Sequence, residues 1–177
     1  MRVRITSGKF GSRFIKTLPT LRPMMEMARK AMFDVLGDRV EDSHFLDLFA
    51  GSGAGGIEAL SRDATHATFV EHDNSHYKLI IENLKSLGLE GEATVRKSEV
   101  APFIAKTHDT FDIVFAAPWY KDVKELDITG WEKLLSNDGI LVLEHEREDA
   151  APIPPGLELI QTKTYGHTAL TFYRASA

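Results

Sequence analysis

The chain contains no cysteine. Disulfides, thiolate metal sites and a cysteine nucleophile are therefore excluded. No apolar run approaches the roughly 18 residues of a membrane-spanning helix. The opening Met1-Arg2-Val3-Arg4 does not supply the apolar core of a secretion signal. The expected setting is cytoplasmic, with no membrane partner and no metal. Internal repeats and low-complexity tracts are absent. Prolines are few, and most punctuate connectors: Pro19 and Pro23 near the start, Pro152, Pro154 and Pro155 near the end.

What is present suits one globular unit. The 177 residues are 43% apolar, enough for a proper core. The net charge of -5 argues against a nucleic-acid partner until its distribution is read. Residues 1–40 carry nine Lys/Arg against three acids, or +6, which leaves -11 for the remainder. This asymmetry predicts a basic N-terminal extension over 1–40 and an acidic body over 41–177.

The periodicities divide the same way. Arg2 to Thr6 alternates, Ser7-Gly8-Lys9-Phe10-Gly11 supplies a turn, and Arg13 to Leu18 can return as a second strand. Met24, Ala28, Ala31, Met32, Val35 and Leu36 recur at helical spacing, with Gly37 placed to cap. Arg22, Arg29 and Lys30 are expected to face solvent or a ligand. From His44 onward strands and helices alternate. Strands are predicted over 44–49, 67–71, 93–96, 111–116 and 139–144. Helices are predicted over 55–61, from Tyr77 to Leu87, over 100–106, and around Trp131, Leu134 and Leu135. Strands 157–164 and 169–173 follow with only a short turn between them, so they pair antiparallel. The expected fold is α/β, Rossmann-like, of the class I methyltransferase type: a mostly parallel seven-stranded sheet with a C-terminal antiparallel hairpin, plus a small N-terminal hairpin and helix.

The centre of this pattern is Phe45-Leu46-Asp47-Leu48-Phe49-Ala50-Gly51-Ser52-Gly53, a buried strand running into a glycine turn. Such turns lie at the carboxyl ends of parallel strands, where open α/β sheets bind ligands. Gly51, Gly53 and Gly56 also match a dinucleotide fingerprint, with Glu71 twenty residues on to bind a ribose. Asp47 separates the candidates. A carboxylate there repels a pyrophosphate, but attracts the ammonium and sulfonium of S-adenosylmethionine. The other role open to Asp47 is that of a helix or turn cap.

At the same sheet edge stands Phe115-Ala116-Ala117-Pro118-Trp119-Tyr120. A rigid, aromatic segment there suits a flipped base, whose ring needs a stacking surface and whose conjugated amine needs acceptors for its hydrogens.

With these residues in view, the whole chain resembles the RsmD family of small-subunit ribosomal-RNA guanine-N2 methyltransferases. The resemblance lies in Arg4-Ile5-Thr6-Ser7-Gly8-Lys9-Phe10, in Leu21-Arg22-Pro23, and in Ala28-Arg29-Lys30-Ala31-Met32-Phe33-Asp34-Val35-Leu36. It continues through Asp47 to Ala54, Gly56 to Arg62, Val70-Glu71-His72-Asp73, and Tyr165 to Tyr173. The glycine loop alone is shared with many methyltransferases; the terminal segments make the match specific.

The resemblance implies S-adenosylmethionine held by Asp47, Ala50, Gly51, Ser52, Gly53, Glu71 and His72, with Ser98 or Glu99 against the adenine. It implies a target base at Ala117, Pro118, Trp119 and Tyr120. It implies ribosomal RNA or the small ribosomal subunit as partner, met by Arg4, Lys9, Arg13, Arg22 and Arg29. The chain departs from the family at the catalytic segment. Ala117 stands where the family has an acid or Asn, and Trp119 where it has a second proline. Met24 replaces a usual Thr. Losing one polar group at a reacting centre costs on the order of 10²–10³ in rate. Asp122 is the nearest carboxylate in sequence. Two further functions follow as alternatives: a catalytically weakened or inactive S-adenosylmethionine- and RNA-binding protein in ribosome assembly, or a methyltransferase acting on DNA adenine.

Overall fold

The computed structural model describes every residue except 23 and 120–122, so Pro23, Tyr120 and Asp122 lie outside the described residues. A two-stranded hairpin, β1 (Arg2–Arg4) with β2 (Phe14–Lys16), precedes helix α1 (Glu26–Leu36). There follow β3 (His44–Leu48), α2 (Ala54–Ser61), β4 (His66–Glu71), α3 (Asn74–Leu87), β5 (Ala93–Lys97), α4 (Val100–Lys106) and β6 (Phe111–Ala116). The chain closes with β7 (Leu135–Glu146), β8 (Leu157–Tyr165) and β9 (Thr168–Ala175).

The seven main strands lie in the order β5-β4-β3-β6-β7-β9-β8. Strands β3 to β7 are parallel, and β9 slots antiparallel between β7 and β8. The order reverses between β3 and β6, which opens a crevice beyond their carboxyl ends.

The fold follows the sequence pattern closely, with one local exception. Trp131, Leu134 and Leu135 do not form a helix. Trp131–Leu134 makes one 3-10 turn, and Leu135 already begins β7. Their spacing is helical, but Gly130 enters the turn left-handed at φ 82°, and Leu135 is extended. Leu135 takes its place beside Phe111 of β6 instead.

Each sheet face buries its own apolar cluster. One gathers Phe45, Phe69, Ile113, Phe115, Val142 and Leu170 against Ile57 and Leu60 of α2 and Ile80 and Leu84 of α3. The N-terminal layer joins this same cluster through Val3, Ile5, Ile15, Met32, Phe33 and Leu36. The other face buries Leu46, Leu48, Val70, Val114, Leu141 and Leu143 with Val100, Ile104 and Trp131.

Polar contacts fix the N-terminal layer in place. Glu58 of α2, wholly buried, accepts from the amides of Thr6 and Ser7 at 2.8 and 3.0 Å. Ser61 accepts from the amide of Phe10 and donates to the carbonyl of Ser7. Gly8 is required here. Its φ is +79°, and a Cβ on it would lie 1.7 Å from the Ser61 carbonyl oxygen. Among the described residues, no helix is long and apolar enough to cross a membrane.

Candidate active site

The site is built from the end of β3 outward. Asp47 is 2% exposed, and its Oδ2 accepts from the Gly56 amide at 2.9 Å, in the first turn of α2. Asp47 is thus both a cap of α2 and part of the crevice wall. The helix meets the strand this closely because Gly55 and Gly56 lack side chains. A Cβ on Gly55 would sit 2.9 Å from Asp47 Oδ2, and one on Gly56 would sit 2.4 Å from the Phe69 ring. Burial pushes the Asp47 carboxyl up to about 8; the Gly56 amide partly opposes this, and the charge of Glu71 adds to it.

The chain then turns sharply. Phe49 is left-handed at φ 60°, an unusual position for an aromatic residue, and Gly51 follows at φ 57°. Glu71, 5% exposed at the end of β4, clamps the turn. It accepts from the Gly51 amide at 2.9 Å and the Asp73 amide at 2.8 Å, one on each oxygen. Each oxygen keeps a second lone pair for another donor. Asn83 of α3 donates to the Ser52 carbonyl and also pairs with the backbone of Lys16 in β2. The N-terminal layer and the glycine turn are thereby tied to one side chain. Leu21 closes over Gly51, where an added Cβ would lie 3.1 Å from its Cδ2.

A cavity of about 240 Å³ runs from this turn to the end of β6. Asp47, Ala50, Gly51, Ser52, Glu71 and His72 wall one end, and Ala117, Pro118 and Trp119 the other. The sequence therefore places most of the expected site residues on one cavity. Pro118 is buried, while Trp119 is 50% exposed at the mouth. Tyr120 lies outside the described residues.

Three expected cofactor residues are not on this wall. Gly53 sits behind it, packed near Ile57, Ile80 and Phe69. Ser98 and Glu99 are also outside it. β5 ends at Lys97, and the chain turns at once into α4, with Glu99 at its start and the Ser98 hydroxyl donating to the Glu99 carbonyl.

Among the cations, Arg22 is exposed and lines the cavity. Arg4, Lys9 and Arg13 are exposed on the hairpin, where Lys9 pairs with Glu92 at 3.1 Å and Arg13 stacks on Phe10. Arg29 departs from expectation. It is 1% exposed, its Nε lies 3.4 Å from buried Glu58, and it donates to the Arg4 carbonyl. The guanidinium lies at the cavity wall, held by buried partners, and is not on an exposed surface. Its position was legible, since Arg29, Met32, Phe33 and Leu36 share one face of α1 at spacings of three and four.

Glu144 is a wall residue that the sequence did not single out. It lies at the carboxyl end of β7, is 6% exposed and lines the cavity beside Ala117. The available signal was a charged residue directly after the apolar run of a parallel strand, at the sheet edge that binds ligands. Among the described residues, no group of three or more His, Asp or Glu is placed to hold a metal.

Compared with known proteins, residues 3–174 match the family described as Conserved hypothetical protein 95. Ribosomal RNA small subunit methyltransferase D of Escherichia coli K12 is 33% identical, over 99% of this chain and 91% of that one. The solved structure of hypothetical protein TTHA0928 from Thermus thermophilus superposes with a TM-score of 0.81 at 32% identity, covering 98% of this chain and 99% of the other. An RNA methyltransferase from Salinibacter ruber, solved in complex with S-adenosyl-L-homocysteine, shares the fold at a TM-score of 0.65 and 16% identity, over 85% of this chain and 92% of that one.

Proposed function

The chain is a methyltransferase that belongs to the Conserved hypothetical protein 95 family, and we propose that it uses S-adenosylmethionine to methylate the N2 amine of a guanine in small-subunit ribosomal RNA. The observation that carries this reading is one continuous cavity. It joins a crevice walled by two buried carboxylates to a proline-aromatic edge open to solvent.

The residues at the crevice suit this cofactor. Asp47 is a buried acid whose ionisation is held back by desolvation, so a cationic ligand stabilises its charged form and a phosphate opposes it. Glu71 keeps lone pairs for ribose hydroxyls after binding two amides. When bound, S-adenosylmethionine supplies an electrophilic methyl group. The protein's task at the other end is to hold a flipped base. Buried Pro118 gives a rigid floor, and half-exposed Trp119 offers a stacking face at the mouth.

Exposed Arg22, Arg4, Lys9 and Arg13 are the proposed phosphate contacts, in the cytoplasm where ribosomal subunits assemble. The Lys9–Glu92 pair is exposed on both sides, and such pairs are worth about 0–1 kcal/mol, so a phosphate can replace Glu92 at little cost.

Ala117 favours one second reading, an assembly factor that binds cofactor and RNA without transfer. One assay decides between them: methyl transfer from labelled S-adenosylmethionine to undermethylated ribosomal RNA and small subunits. Transfer to guanine N2 supports an enzyme. Cofactor binding without transfer supports the assembly factor, and transfer to adenine in a parallel assay on DNA redirects the substrate.

A further inference from the structure

We propose that Glu144 is the catalytic carboxylate of this site, accepting the hydrogens of the target amine from the strand next to the one that carries Ala117. The inference rests on the reading of the chain as an amino-group methyltransferase. Its support is placement. β6 and β7 run parallel, with Phe115 beside Val142 and Ala116 beside Leu143. The next pair in this register is Ala117 and Glu144. Side chains alternate across a sheet, so both point to the face that carries Phe115, Val142 and Asp47. Both line the same cavity, and Glu144 is 6% exposed.

The substitution and the neighbouring acid make sense together. Adjacent strands lie about 4.8 Å apart. Glutamate is one methylene longer than aspartate, so its carboxylate can extend toward the space that an acid at 117 would occupy. Two acids side by side there would raise each other's pKa, and one would stay protonated. Alanine at 117 removes that conflict and leaves one acceptor. Arg29 lines the same cavity, its charge paired with buried Glu58, and its Nη1 is buried with no hydrogen-bond partner among the described residues.

The step balances. The bond from sulfur to the methyl carbon breaks, with its electron pair left on sulfur. The amine nitrogen uses its lone pair to form the new bond to carbon. The amine then gives up one proton to the Glu144 carboxylate, which passes it to water. Before transfer, the same carboxylate draws the lone pair out of conjugation by accepting an N–H.

The test uses the full chain with Glu144→Gln, Glu144→Ala, and Glu144→Gln combined with Ala117→Asp. Single-turnover transfer to undermethylated small subunits is measured across pH, alongside S-adenosylhomocysteine affinity and thermal unfolding. Both single variants should lose on the order of 10²–10³ in rate, with cofactor affinity unchanged. The acid limb of the wild-type pH profile should vanish in Glu144→Gln. Ala117→Asp should restore transfer in the Glu144→Gln background, which a purely structural Glu144 would not allow. Wild-type rates in Glu144→Gln overturn the proposal. So does a loss shared with cofactor affinity and not rescued by Ala117→Asp. Transfer by neither wild type nor variants removes the proposed function itself, and this inference with it.

Discussion

The two ends of the cavity are made in different ways. At the cofactor end, neighbouring pieces of chain hold one another through the backbone: Asp47 binds the Gly56 amide, Glu71 the Gly51 and Asp73 amides, and Asn83 the Ser52 carbonyl. At the proposed target end, side chains arrive from separate elements: Pro118 and Trp119 after β6 and Glu144 from β7. The first arrangement is over-determined and tolerates little change. The second can be retuned one residue at a time.

The largest expected effect lies at the joint between the N-terminal layer and α2. Glu58→Ala leaves Arg29 buried without its counter-charge and unpairs the Thr6 and Ser7 amides. Removing one partner of a buried pair costs about 3–5 kcal/mol. Denaturant unfolding should show this loss; a stability close to wild type would mean that the layer is held by apolar packing alone.

Next comes a direct contrast of the two ends. Gly56→Ala forces a methyl against the Phe69 ring and should cost about 1–3 kcal/mol of stability, with cofactor affinity falling too. Trp119→Ala, at a half-exposed residue, should leave unfolding unchanged. It should weaken RNA engagement by the roughly 1–3 kcal/mol of a lost base stack, read as a higher KM. If Trp119→Ala unfolds the protein while Gly56→Ala does not, the contrast is reversed.

Asp47 gives a pH signature that belongs to the cofactor end alone. Its folded pKa of about 8 lies above its ordinary 3.8, so the native chain binds this proton more tightly than the unfolded one. Between those values the ligand-free protein should therefore gain stability as pH falls, and lose it as pH rises toward 8. A cationic ligand reverses the preference, so cofactor binding below pH 8 should release a proton. Calorimetry in buffers of different ionisation enthalpy reads that proton. Asp47→Asn should abolish its release and weaken binding, while flattening the pH dependence of unfolding. The smallest effect concerns phosphate. Arg22→Ala should lower the slope of log affinity against log salt by roughly 0.7–0.9, the share of one contact.

The same contrast explains what was legible in the sequence. The proposed cofactor end could be read as a crevice because its parts are close together: Asp47, Gly51 and Ser52 lie within six residues, and Glu71 ends the next strand. The order of the strands followed from their alternation with helices. Glu144 could not be placed beside Ala117 without the pairing of β6 with β7, which sets together residues far apart in the chain. Arg29 resembled one more cation in a basic segment. Only its spacing with Met32, Phe33 and Leu36 marked it as core, and its partner Glu58 lies on another helix. Around Trp131 a helical spacing was overruled by the glycine before it and by pairing of Leu135 with β6.

The most direct test of the whole account is the nucleoside product formed from undermethylated small subunits, the full chain and labelled S-adenosylmethionine. One labelled product is expected, guanosine methylated at N2, with no label on adenine. A chain that binds S-adenosylhomocysteine yet leaves ribosomal RNA, free or in subunits, without label would contradict it.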